Sequence, residues 1–122
     1  VEKNINNNIY INADYNWQLE AFTNIIKNAV EHTKHTGTIY INVEDNLVFT
    51  RIKIRDNGEG ISKKDIKHIF ERFYKGQGSA ESSIGIGLSL AKTIIEKENG
   101  SIKVQSEKGK ETEFIIEYFK NR

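Results

Sequence analysis

The chain predicts an α/β sandwich (α+β), with one mixed β-sheet covered on one face by three helices. Three observations carry this. Apolar residues recur at spacings of three and four before Thr33 and again after Ser62 and after Ile84. Several other stretches alternate apolar and polar residues with a period of two. Turn residues punctuate these segments in the order βα, ββ, αα, ββ, which suits helices laid on one sheet.

Residues 1–8 are polar and asparagine-rich and read as a frayed lead-in, followed by a short strand at Ile9, Ile11 and Ala13. Asp14 or Asn16 can cap a helix running to about Thr33, with Leu19, Phe22, Ile25, Ile26, Ala29 and Val30 as its apolar face. After a loop at His32 to Gly37, Thr38 to Glu44 and Leu47 to Arg55 predict a hairpin turning at Asp45-Asn46. Ile39, Ile41 and Val43 mark the inward face of its first strand, and Val48, Ile52 and Ile54 that of its second. Ser62 and Asp65 form a capping box for a helix striped by Ile66, Ile69, Phe70 and Phe73. Lys75 to Ser83 has almost nothing to bury and reads as a mobile surface loop. Ile84 to Asn99 predicts a third helix, stopped by Gly100. Ser101 to Ser106, a turn at Glu107 to Lys110, and Glu111 to Tyr118 predict a closing hairpin.

A length of 122 residues suffices for one domain with one core, and no repeat or linker divides it. Net charge is +1 with acids and bases interspersed, which argues against an electrostatic nucleic-acid binder. Without cysteine there are no disulfides, thiolate metal sites or cysteine nucleophiles; proline is absent too. No apolar run approaches the roughly 18 residues of a membrane span, and no signal peptide opens the chain. Because it starts at Val1, it is expected to be a piece of something longer, itself not membrane-inserted.

Three clusters could carry chemistry. In Asp56-Asn57-Gly58-Glu59-Gly60-Ile61, a strand ends in an acid and two glycines, which suits either an ordinary turn or a ligand-approach loop. There the aspartate could accept a hydrogen bond from a ligand amine. Asn24 and Asn28 share a helix face and are either surface amides or carboxamide oxygens for a hard cation such as Mg²⁺. Gly85-Ile86-Gly87 opens a helix, where backbone N–H groups could meet phosphate. Arg72 and Lys75 are solvated charges or cations within reach of that phosphate. A Walker motif is missing, Leu90 breaks a dinucleotide fingerprint, and the signatures of serine/threonine/tyrosine kinases are absent. His32, His35 and His68 lack metal-ligand spacing, although His32 directly follows the asparagine helix.

Taken in order, N-x-x-x-N-A at Asn24 to Ala29, D-N-G-E-G at Asp56 to Gly60, I-F-E-R-F at Ile69 to Phe73 and G-I-G-L-S-L at Gly85 to Leu90 resemble the catalytic ATP-binding domain of two-component sensor histidine kinases. The resemblance covers about Ile9 to Phe119. It implies the Bergerat ATP-binding fold, shared with the ATPase domains of DNA gyrase, the heat-shock chaperone and mismatch-repair proteins. It implies ATP and Mg²⁺ as ligands, with Asn28 on the metal and Asn24 one turn earlier. Asp56 matches the aspartate that accepts from the adenine amine, Gly58 and Gly60 let the purine approach, and Ile61 lines its pocket. Phe70 and Phe73 match the box that anchors an ATP lid at residues 75–83, with Arg72, Tyr74 and Lys75 beside it. Gly85, Ile86, Gly87 and Leu88 match its helix-side hinge and phosphate contact, and Thr112 a threonine near the adenine.

There are departures. Glu31 stands where a lysine is usual, His32 where a tyrosine is, Ser83 for the first lid glycine and Glu111 for a glycine before the threonine. No phosphoacceptor histidine with its following proline is present, so that two-helix dimerisation domain is expected upstream of Val1. The resemblance implies phosphoryl transfer to that domain and then to a response-regulator receiver domain. The chain would be a monomeric cytoplasmic domain of a membrane-anchored sensor. Two alternatives remain: an anti-sigma-factor serine kinase of the same fold, and a non-catalytic ATP-binding sensor module, which Glu31 keeps open.

Overall fold

The computed structural model describes residues 2–4, 15–33, 37–73 and 87–120. Its strands are β1 (Glu2–Asn4), β2 (Ile39–Asp45), β3 (Phe49–Asp56), β4 (Gly100–Glu107) and β5 (Glu111–Phe119). The helices are α1 (Tyr15–His32), α2 (Lys63–Ile66) and α3 (Gly87–Lys97). The strands form one sheet in the order β1-β2-β3-β5-β4, parallel between β1 and β2 and antiparallel elsewhere. The mixed sheet is therefore as the sequence predicts.

Alternation assigns its faces. Along β3 the buried residues are Thr50, Ile52, Ile54 and Asp56, and along β5 they are Thr112, Phe114, Ile116 and Tyr118. Register places these opposite one another, from Thr50 with Tyr118 to Asp56 with Thr112, so both rows share one face. Ile39, Ile41 and Val43 on β2 and Ile102 and Val104 on β4 extend that face to either side. Against it lie α1 and α3, which also pack on each other through Ala21, Ile25, Ala29, Ala91, Ile94 and Ile95. Apolar burial of this kind stabilises by about 25 cal/mol per Å² removed from water.

Several elements differ from the sequence-based expectation. The polar lead-in contains a strand, because β1 adds to the edge of β2 through backbone hydrogen bonds and needs no apolar pattern. The expected strand at residues 9–13 and the cap Asp14 lie outside the described residues, while Asn16 is inside α1 rather than its cap. Leu19 and Val30, 53% and 57% exposed, fall off the core stripe, which runs instead through Gln18, Ala21, Ile25 and Ala29. The first hairpin turns at Asn46 to Val48, starting one residue later than predicted. Asn46 Oδ1 accepts from the N–H groups of Val48 and Phe49 at 2.8 and 2.9 Å, closing the turn without a glycine. Val48 thereby lies in the turn, 63% exposed, and not on the inward face.

The capping box is present, with Ser62 Oγ accepting from Asp65 N at 3.2 Å. It opens only the single turn of α2, after which Lys67 to Phe73 continues as tight turns. Ile69 and Phe70 still reach the core, but Phe73 is 66% exposed at φ 64°, a left-handed conformation rare for an aromatic residue. At the end of α3 the left-handed residue is Asn99, not Gly100. Gly100 is required for another reason: a Cβ there would stand 2.7 Å from Ile95 Cγ2 and 2.9 Å from its carbonyl oxygen.

Candidate functional site

One end of the inward face is polar. A single rung crosses four strands there, with Ile39 opposite Asp56, Asp56 opposite Thr112 and Thr112 opposite Ser106. Asp56 is 1% and Thr112 3% exposed, so a carboxyl group and a hydroxyl group lie side by side in the wall of the core. Burial pushes the Asp56 carboxyl above its ordinary value, opposed by the Gly58 N–H, which Oδ1 accepts at 2.9 Å. A buried carboxyl group at a strand end has little structural purpose, since an isoleucine would continue the row at lower cost.

The loop that follows is fixed on both sides. Glu59 N donates to the His32 carbonyl at 3.3 Å, and His32 Nδ1 meets Glu59 Oε1 at 3.0 Å, tying the loop to the end of α1. A Cβ on Gly58 would collide with the His32 carbonyl oxygen, so glycine is needed for this close approach. On the other side, Gly109 N donates to Glu59 O at 2.7 Å and Ile61 N donates to Ser106 Oγ at 2.7 Å. Gly60 has φ 72°, and a Cβ there would collide with the carbonyl of Glu107. The two glycines thus let the loop press between α1 and the β4–β5 turn. Asn57 closes its base, its Oδ1 accepting from Thr38 N at 2.8 Å.

Asn24 and Asn28 are half-buried on α1, and Asn24 faces the first residue of α3: a Cβ on Gly87 would lie 3.8 Å from the Asn24 carboxamide oxygen. Asn24 and the N-terminus of α3 are therefore brought together. Leu88, read as part of a phosphate contact, turns its side chain into the core. Phe70 meets Phe114 edge-on at 6.3 Å, and Lys92 Nζ stands 5.3 Å above the Phe70 ring. Arg72 is exposed and its guanidinium lies over Phe73 at 5.2 Å. Glu31 is exposed on the last turn of α1. Ile61 is half-buried beside Ser106. Tyr74, Lys75, Gly85, Ile86 and the 75–83 segment lie outside the described residues.

Among the described residues no three His, Cys, Asp or Glu side chains form a metal-binding cluster. A hard cation here would find neutral carboxamide oxygens, which suits Mg²⁺ arriving with phosphate oxygens as its main ligands. The site thus joins one buried acid, a glycine loop, a pair of helix asparagines and a helix N-terminus on a two-layer frame. That combination suits a nucleotide.

The comparisons assign the family. The chain belongs to the histidine kinase-, DNA gyrase B- and HSP90-like ATPases, whose family model matches residues 13–122. It is similar to the sensor histidine kinase YclK of Bacillus subtilis (strain 168), at 36% identity over 92% of this chain and 24% of the relative. It is also similar to the heme sensor protein HssS of Staphylococcus saprophyticus, at 39% identity over 83% of this chain and 22% of that protein. The chain therefore spans about a quarter or less of the length of these relatives. Among solved structures, the nucleotide-free catalytic domain of histidine kinase ThkA superposes with a TM-score of 0.82 at 28% identity, covering 98% of this chain and 78% of that one. The fold and family read from the four motifs are both borne out. Membership of this ATPase family implies that the chain binds ATP.

Ser106 and Glu59, which hold the loop in place, were not singled out from the sequence. Ser106 could have been found only by pairing it with Thr112. The predicted turn at Glu107 to Lys110 places it opposite Glu111 instead.

Proposed function

We propose that this domain binds Mg²⁺–ATP and donates the γ-phosphate to a histidine on a separate dimerisation and phosphoacceptor domain, from which a response-regulator receiver domain takes it. The observation that carries the reading is Asp56, a buried carboxyl group at a strand end beside a loop that its glycines hold against α1 and the β4–β5 turn. In this role Asp56 accepts from the adenine amine, the loop seated by Gly58 and Gly60 forms one wall for the ring, and Ile61 and Thr112 border it. His32, held by Glu59, flanks the base in place of the usual tyrosine. The triphosphate runs toward Asn24, Asn28 and the N-terminus of α3. Asn28 offers its carboxamide oxygen to the metal, and Mg²⁺ supplies charge neutralisation across the phosphates. Arg72, Lys75 and the backbone near Gly85 and Gly87 add positive charge where the phosphoryl group leaves.

In the transfer the bond between the γ-phosphorus and the bridging oxygen breaks, a P–N bond to the acceptor imidazole forms, and ADP departs. The contribution of this chain is orientation and electrostatic stabilisation. The relatives named as sensors support placing the domain on the cytoplasmic side of a sensor protein. No helix among the described residues is long and apolar enough to cross a membrane.

The test combines the domain with a separately expressed acceptor domain and γ-labelled ATP. An acid-labile, base-stable label on the acceptor is expected. ATP binding without any such label favours a non-catalytic nucleotide sensor, the reading that exposed Glu31 in place of lysine suggests.

A further inference from the structure

The hydroxyl of Ser106 is saturated. It accepts from Ile61 N at 2.7 Å and donates to the Glu111 carbonyl at 2.7 Å, since a carbonyl oxygen can only accept. A serine hydroxyl has one proton and two lone pairs, so in its third contact, 2.9 Å to Thr112 Oγ1, Thr112 must be the donor. Thr112 has then spent its only proton, and its oxygen retains only lone pairs. Directly opposite on the same rung is the carboxyl of Asp56, which is likewise an acceptor when ionised.

We infer that Ser106 is a positioning residue that fixes Thr112 as a hydrogen-bond acceptor, so that Asp56 and Thr112 together select a purine with an exocyclic amine over its oxo analogue. This rests on the adenine reading above. A 6-amino group presents two N–H donors to two acceptors. A 6-oxo group instead turns its own lone pairs toward them, and with only the neighbouring ring N1–H left to donate, at least one of the two buried acceptors goes unmet. The same hydroxyl holds Ile61, so one side chain couples the position of the glycine loop to the polarity of the pocket.

Calorimetric titration of Mg²⁺–ATP and Mg²⁺–ITP into the chain tests this. The unmodified chain is expected to prefer ATP by about a hundredfold or more, as sites built around a substrate N–H do. Ser106→Ala releases the Thr112 proton, which can then turn toward an oxo group. The preference should fall by about tenfold, the loss expected of one hydrogen bond. Ser106→Thr, which keeps a hydroxyl, should restore it. An unchanged ATP-to-ITP ratio in a folded Ser106→Ala variant overturns the inference, as does an unmodified chain that binds both nucleotides equally. If Ser106→Ala does not fold, Thr112→Val carries the test: a ratio lowered toward one is expected, and an unchanged ratio overturns the inference. No ATP binding by the unmodified chain overturns the adenine reading and this inference with it. ATP binding with an unaltered ratio overturns the inference alone.

Discussion

Asp56 is held in a place that costs stability. Burial raises its folded-state carboxyl above the ordinary value of 3.8, so the folded chain holds this proton more tightly than the unfolded chain does. The contribution of Asp56 is therefore most favourable below the ordinary value and is lost as pH rises through the raised one. Asp56→Asn keeps an acceptor for Gly58 N and removes the titration. In urea denaturation without nucleotide, the variant is expected to be at least as stable as the unmodified chain at neutral pH. Its stability should also fall less across the weakly acidic range. A clearly less stable variant at pH 7 would show that the ionised carboxylate contributes to the fold. Gly58 makes the complementary case. In Gly58→Ala the new Cβ collides with the His32 carbonyl, and overpacking of this kind costs about 1–3 kcal/mol. The urea midpoint should fall with an unchanged slope.

Among the elements, α1 has two duties. Ala21, Ile25 and Ala29 face the sheet and α3, while Asn24 and Asn28 stand beside that stripe, and the last turn clamps the glycine loop through His32. The two duties separate by mutation. Ile25→Ala empties a fully buried site and should cost about 2–5 kcal/mol in denaturant unfolding. Asn28→Ala should leave stability nearly unchanged but weaken Mg²⁺–ATP far more than magnesium-free ADP. Equal losses for both ligands in calorimetry would remove Asn28 from the metal.

What could be read in advance also divides by element. The period of α1 was legible, but its stripe was displaced toward Leu19 and Val30, because large residues weigh more in a periodicity than Ala21 does. The alternation along β3 and β5 was legible, since each has one dry face. The turns were not. Asn46 closes its turn with its side chain, and Gly109 at φ 86° tightens the β4–β5 turn so that Glu107 pairs with Glu111. That one-residue change in register moves Ser106 from beside Glu111 to beside Thr112, and with it part of the candidate site. Asp56, Asn24 and Gly87 were found because glycine and asparagine are conspicuous where apolar residues would otherwise continue.

At the scale of the whole molecule, the sheet works as a shelf with a polar rung at one end. The apolar rows of β3 and β5 run into Asp56 and Thr112, and the loop beyond them is held by α1 on one side and the β4–β5 turn on the other. Asn24 and the start of α3 face each other across the helical layer. On the proposed reading the base would lie against the sheet and the phosphates against the helices. The packing that joins the two layers sets the distance between them. A division of this kind fits the proposal that the nucleotide is held within this chain while the acceptor of its phosphate belongs to another domain.

Asp56 is proposed as the base-recognition acceptor of an ATP site. Its most direct test is calorimetric titration of Mg²⁺–ATP into the unmodified chain and into Asp56→Asn, with the circular dichroism of the two matched beforehand. Saturable one-to-one binding by the first and none measurable by the second are expected. Equal affinity for ATP in the two proteins would contradict it.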